Sequence, residues 1–180
     1  MIRLTALALL LAAPALAANP PEDVATAHPE SQPYDESISD ELYAQELDRT
    51  IAQLEPGRRV LAVFGANWCH DSRALAGWLV SEDFETLLRE HFELVFVDVG
   101  SPQTGEGRNL DLAARYGVSD IDGTPNLLVI DGSGALVNTP ESAKDWRNAA
   151  SRSEESIYAV LQSYAGEPGA SDALAAEAAG

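Results

Sequence analysis

Cysteine is nearly absent: Cys69 is the only one in 180 residues. One thiol makes no internal disulfide, so the fold must rest on a buried core. Basic residues are also scarce, with 11 Lys+Arg against 29 Asp+Glu and a net charge of −18. This balance argues against nucleic acid and anionic membrane surfaces as partners, since both need basic patches. Beyond the N-terminal region no apolar run reaches the ~20 residues that a membrane span takes. No internal repeat is present. No Cys/His spacing resembles a zinc site, so no metal is expected. His28 lies in a proline-rich stretch, His91 ends a predicted helix, and the neighbours Cys69, His70 and Asp71 do not easily converge on one ion. Gly105-Glu106-Gly107 lacks the lysine and the spacing of a phosphate loop.

What is present begins with an export pattern. Arg3 is followed by an apolar stretch over 4–13 and the small-x-small site Ala15-Leu16-Ala17. Charge, short apolar run and small-residue site together read as a signal peptide over 1–18, cleaved near Ala17 or Ala18. A periplasmic or secreted location is therefore expected, with no membrane insertion. The segment 19–36 contains Pro20, Pro21, Pro29 and Pro33 among acids and reads as a flexible linker. Residues 166–180, rich in Ala, Glu and Gly, read as a disordered tail, which leaves 37–165 as the folded domain.

Within that domain helical and strand patterns alternate. The spacing of Leu42, Leu47, Ile51 and Leu54 predicts a helix over 39–54, stopped by Pro56-Gly57. Buried strands are predicted over 60–64, 94–99 and 126–130, with helices over 72–80, 82–91 and 153–164. Asn109 is the expected cap of a short helix ending at Gly117, and 100–108 reads as a polar loop. Asp131-Gly132-Ser133-Gly134 is expected to turn the last long strand into a hairpin with 135–137. Strands separated by helices imply parallel crossovers, and the hairpin adds an antiparallel edge. The fold class is thus α/β, a mixed central sheet with helices on both faces.

The chemistry centres on Trp68-Cys69-His70-Asp71-Ser72, directly after the buried strand. An odd cysteine in an exported chain is a reactive thiol, an intermolecular bridge or an inert core residue. A helix starting at or just after Cys69 would place the sulfur near unpaired backbone N–H groups, which favour the nucleophilic thiolate. A protonated His70 would add to this, or His70 is a solvated loop residue. Asp71 works against thiolate, and it also suits a first helical turn. Ser72 either donates a hydrogen bond to the Cys69 thiolate or is a solvated first-turn residue. Trp68 is placed beside the thiol as a shield or in the core. Trp78 is expected in the core.

Three stretches carry a family resemblance. They are Val60-Leu61-Ala62-Val63-Phe64-Gly65-Ala66-Asn67-Trp68-Cys69, Leu94-Val95-Phe96-Val97-Asp98, and Tyr116-Gly117-Val118 followed by Gly123-Thr124-Pro125-Asn126-Leu127-Leu128-Val129-Ile130. Together they resemble the thioredoxin superfamily, over about 60–137. The resemblance implies a thioredoxin-like fold, with Cys69, Ser72 and His70 at the catalytic position and Trp68, Thr124 and Pro125 at the substrate-binding one. It implies a cis Thr124–Pro125 bond facing the cysteine and a client segment paired alongside it as an added strand.

Two positions depart from the family's dithiol members. Ser72 stands where the second cysteine of Cys-x-x-Cys belongs. Val63 stands where those members carry a buried aspartate, six residues before the first cysteine. Both departures remove parts used to resolve a mixed disulfide and keep the attacking thiol. The expected function is monothiol thiol–disulfide exchange on client protein thiols or disulfides. An external reductant or oxidant would recycle Cys69, with glutathione as co-substrate and no bound cofactor. Two rivals stand beside it. One is a non-catalytic, chaperone-like client-binding module. The other is a glutathione-dependent iron–sulfur scaffold, which export disfavours.

Overall fold

The computed structural model describes residues 28–166. The signal-peptide reading, the first part of the linker and the tail beyond 166 lie outside the described residues.

The sheet is built around β1 (Arg59–Gly65), which is buried along nearly its whole length. A strand covered on both faces needs a continuous apolar run, and Val60-Leu61-Ala62-Val63-Phe64 supplies it. On one side β2 (Phe92–Asp98) pairs in parallel, with Val63 opposite Phe96. On the other side β5 (Asn126–Ile130) pairs antiparallel, with Val63 opposite Leu127. Two short strands, β3 (Gly100–Ser101) and β4 (Glu106–Gly107), form a separate small hairpin. The predicted polar loop 100–108 is this hairpin, closed by a 3-10 turn at Pro102–Thr104.

Alternation along β1 and β5 divides the core in two. Leu61, Val63, Leu127 and Val129 face α2 (His70–Leu79), α3 (Glu82–His91) and α6 (Glu154–Ser163), through Leu75, Leu79, Phe84, Leu87, Ile157 and Leu161. Val60, Ala62, Phe64, Leu128 and Ile130 face α1 (Asp40–Ala52), α4 (Leu110–Ala114) and α5 (Pro140–Lys144), through Tyr43, Leu47, Leu112 and Ala143. The mixed sheet therefore carries helices on both faces. Trp78 packs at the margin of the first core, tilted against Phe84 at 6.2 Å.

Several expectations need correction. The antiparallel member is β5 itself, paired directly with β1. The turn after β5 forms as expected, with the Gly134 N–H donating to Asp131 O at 2.9 Å, and 135–137 returns against β5 through Asp131 N–H to Ala135 O at 3.0 Å, Val137 N–H to Val129 O at 2.7 Å and the Ile130–Leu136 bridge. The side chain of Asn138 extends the pairing one residue further. Its Oδ1 accepts from Val129 N–H at 2.9 Å and its Nδ2 donates to Leu127 O at 2.9 Å. Asn109 does precede α4, but in the left-handed region at φ 55° and without a side-chain cap. Its Nδ2 donates to Asp98 O at 2.7 Å instead, tying α4 to the end of β2. The short helix α5 lies outside the predicted elements; Thr139 caps it, accepting from Ser142 N–H at 3.2 Å, and Pro140 opens its first turn.

The largest correction concerns 19–36. Its described part, 28–36, is packed on the domain. Tyr34 is 1 % exposed and belongs to the first core. It fits because Gly65 has no side chain: a Cβ there would lie 2.5 Å from the Tyr34 ring. Asn67 holds the Tyr34 backbone as a strand neighbour would, accepting from its N–H at 3.2 Å and donating to its carbonyl at 2.6 Å. A second close approach lies at Gly77, where a Cβ would sit 2.2 Å from Pro29 O. Arg108 ties the following stretch down, reaching Glu36 O at 2.8 Å and Asp40 at 2.9 Å, with Asp98 at 3.4 Å behind them. Burial pushes the Asp98 carboxyl up, and the Gly100 N–H and Arg108 pull it back.

If this segment is part of the core, Tyr34→Ala should cost about 3–5 kcal/mol in urea unfolding, the range for a buried aromatic truncation. A loss under about 1 kcal/mol, normal for a surface site, would show the segment to be detached.

Candidate active site

The chain leaves β1 at Gly65 and turns at once into α2. The Cys69 N–H closes this turn on Ala66 O at 3.1 Å, and Cys69 is the N-cap of α2. An N-cap side chain commonly accepts from the first-turn N–H groups. The Cys69 sulfur makes no such bond. Its thiol donates instead to the Thr124 carbonyl oxygen, with 3.5 Å between sulfur and oxygen. The thiol is thus held between the start of α2 and the loop entering β5. At 9 % exposure it keeps a narrow access to solvent.

The loop that receives the thiol is braced from behind. The Thr124–Pro125 peptide bond is cis, and both residues are buried. Asn126 Nδ2 donates to Gly123 O at 2.8 Å. Arg147 pairs with Asp122 and fills the place of a side chain at Gly123, where a Cβ would meet its Nε at 2.6 Å.

The other predicted residues fall as follows. Ser72 is fully buried, so it is not a solvated first-turn residue. Its Oγ has no hydrogen-bond partner among the described residues, and the thiol hydrogen goes to Thr124, so Ser72 and Cys69 are not bonded in this state. The two stand three positions apart on one helix face. Trp68 is 50 % exposed, which rules out core packing; its indole N–H donates to Gly100 O at 2.9 Å. His70 is exposed and is engaged by Glu30 and His28, not by Cys69. Asp71 has a role that the sequence did not show: its Oδ1 accepts from Ala150 N–H at 2.9 Å, pinning the 3-10 turn Ala149–Ser151 to the start of α2.

Sequence reasoning missed the groups supplied by 28–36. Burial, then the nearby Cys69, pushes the Tyr34 phenol above its ordinary range, and the hydroxyl donates to Ser72 O at 3.4 Å. Arg73 donates to Asn67 O at 3.0 Å and Trp68 O at 3.2 Å, and pairs with Glu30 at 3.0 Å. Glu30, His28 and His70 bring three potential metal-ligand atoms within 4.8 Å of one another, a grouping that linear spacing could not reveal. The available signal was Tyr34 itself, a large aromatic in an otherwise polar, proline-rich stretch.

A family model described as thioredoxin-like matches residues 43–132. The crystal structure of the disulphide isomerase from Xylella fastidiosa Temecula1 is similar, at 32% identity and a TM-score of 0.61, covering 74% of this chain and 96% of that one. No curated protein sequence matches the chain. The chain belongs to the thioredoxin superfamily.

Removing the Asp71 carboxylate leaves the Ala150 N–H without its acceptor. Asp71→Ala should lower unfolding stability by about 1.5–3 kcal/mol, the worth of a hydrogen bond to a charged group. Asp71→Asn, which keeps an acceptor oxygen, should recover most of the loss in the same urea titration.

Proposed function

We propose that this chain performs thiol–disulfide exchange through Cys69 alone, on client proteins outside the cytoplasm, with an external thiol resolving the product. The observation that carries the reading is the position of Cys69: N-cap of α2, its thiol against the carbonyl of Thr124 next to Pro125. The similar Xylella protein, described as a disulphide isomerase, supports the same chemistry. The N-terminal charge, apolar run and small-residue site support export to a bacterial periplasm or beyond.

In the reaction, the Cys69 thiolate attacks one sulfur of a client disulfide. The new bond joins Cys69 to that sulfur, and the other client sulfur leaves as a thiolate. A second thiolate, from glutathione or a partner dithiol, then attacks the client sulfur. Cys69 departs as thiolate and the client leaves bonded to the incoming thiol. No sulfur at position 72 competes for this step. Loss of the thiol proton removes the bond to Thr124 O, and the sulfur becomes an acceptor for the N–H groups of the first turn. The otherwise unbonded Ser72 hydroxyl lies on the same helix face and serves as a further donor. His70, first residue of the helix, flanks the thiol. Client backbone adds along Thr124 and Pro125, and the exposed Trp68 indole offers it apolar contact.

The purified protein, treated with oxidised glutathione or a disulfide-linked peptide, should form a stable mixed disulfide at Cys69, detected by intact mass and released by reduced glutathione. Cys69→Ser should form none. Ser72→Cys should instead collect as an internal 69–72 disulfide and gain turnover with dithiothreitol on a protein disulfide. A thiol that stays unmodified while free cysteine reacts would overturn the proposal and leave the client-binding module as the better account.

A further inference from the structure

His28 and His70 stand 42 positions apart in sequence, yet their Nε2 atoms approach to 3.2 Å. The rings meet edge to face, with centroids 4.8 Å apart. Their other nitrogens already face acceptors. His28 Nδ1 lies 3.4 Å from Pro29 O, and His70 Nδ1 lies 3.2 Å from Glu30 Oε1. A neutral imidazole carries one N–H, and an acceptor at Nδ1 draws the hydrogen there. In that tautomer both Nε2 lone pairs face the space between the rings, where a cation would bridge them; with a hydrogen on one Nε2 the same contact is an N–H···N bond.

The spacing suits a particular cation. With zinc–nitrogen bonds of 2.0–2.1 Å, two ligands of a tetrahedron lie about 3.3 Å apart. We propose that His28 and His70 bind one divalent transition-metal ion of the zinc type through their Nε2 atoms, with Glu30 orienting His70 from behind and water completing the coordination. Imidazole suits zinc, copper and nickel and does not suit magnesium or calcium. A carboxylate on the far nitrogen of a ligating histidine fixes the ring and raises its basicity.

The ligands are carried on anchored backbone. Ser31 N–H donates to Arg73 O at 3.1 Å, and Pro29, between His28 and Glu30, packs onto Gly77 of α2. Arg73 holds the second oxygen of Glu30 at 3.0 Å. The positive end of α2 works against a cation beside His70. Glu30 and a chain of net charge −18 work for one. The bound ion would clip the N-terminal segment to the first turn of α2, next to Cys69.

The test is a zinc titration of the purified exported chain carrying Cys69→Ser, so that no thiol can ligate, in excess magnesium to occupy unspecific acidic sites. Saturable one-to-one binding is expected, together with a zinc-dependent rise in Tm. His28→Ala and His70→Ala, each checked for an intact fold by circular dichroism, should each abolish binding. Glu30→Gln should weaken it about 10–100-fold. Absence of saturable binding, or binding unchanged in His28→Ala, would overturn the proposal and reduce the pair to an N–H···N contact. Neither result bears on the chemistry of Cys69, which the titration does not use.

Discussion

The site depends on one close packing: Tyr34 lies in the space that a side chain at Gly65 would occupy. Gly65 is the last residue of β1, and the turn to Cys69 follows directly. With Tyr34 seated there, Asn67 in that turn is bonded on both sides to the Tyr34 backbone. The turn therefore cannot shift without breaking backbone pairing and opening a cavity where a full aromatic ring now packs. The same turn delivers Cys69 to the N-cap, and Asp71, two residues on, fixes the opposite side of α2 to the 3-10 turn at Ala149–Ser151. A thiol at a helix start is only as well placed as the chain leading into it. Here that chain is held by a segment whose composition suggested a linker.

The parts of the fold carried by periodicity were legible in the sequence. β1, α3 and β5 fall where the apolar runs put them, because a strand buried on both faces and an amphipathic helix leave different spacings. Trp68-Cys69 after a buried strand, with Thr124-Pro125 before another, brought together the two elements that meet at the sulfur. What was not legible rests on contacts far apart in the chain. Tyr34 to Gly65, Pro29 to Gly77 and Arg108 to Glu36 all join residues with no local signature. Glycine reads as flexibility in a sequence, whereas Gly65 and Gly77 serve close approach. Proline and acidic residues read as disorder, whereas 28–36 gains enough from Tyr34 and its backbone bonds to be ordered. The direction of β5 was missed for a related reason: the buried run fixes a strand but does not state which way it runs.

Position 63 shows why the single thiol is not merely a dithiol site with one part missing. Val63 is fully buried, opposite Phe96 on one side and Leu127 on the other, in a core with Leu61, Leu75 and Leu79. A carboxylate there would lose its water without gaining a partner, and burial of that kind is costly unless the group is neutral or paired. The interior around position 63 is thus apolar, with no group at that position to carry a proton. Ser72, at the other missing part, is equally sealed, its hydroxyl unmatched among the described residues. Placing the thiol requires neither a carboxylate at 63 nor a second thiol at 72. The N-cap geometry comes from the β1 turn and the carbonyl opposite comes from the loop before β5, so what positions the thiol lies apart from the two positions at which the dithiol members differ. On the exchange proposed above, a chain that keeps the placed thiol and lacks both resolving partners would form mixed disulfides and leave their release to a thiol from outside.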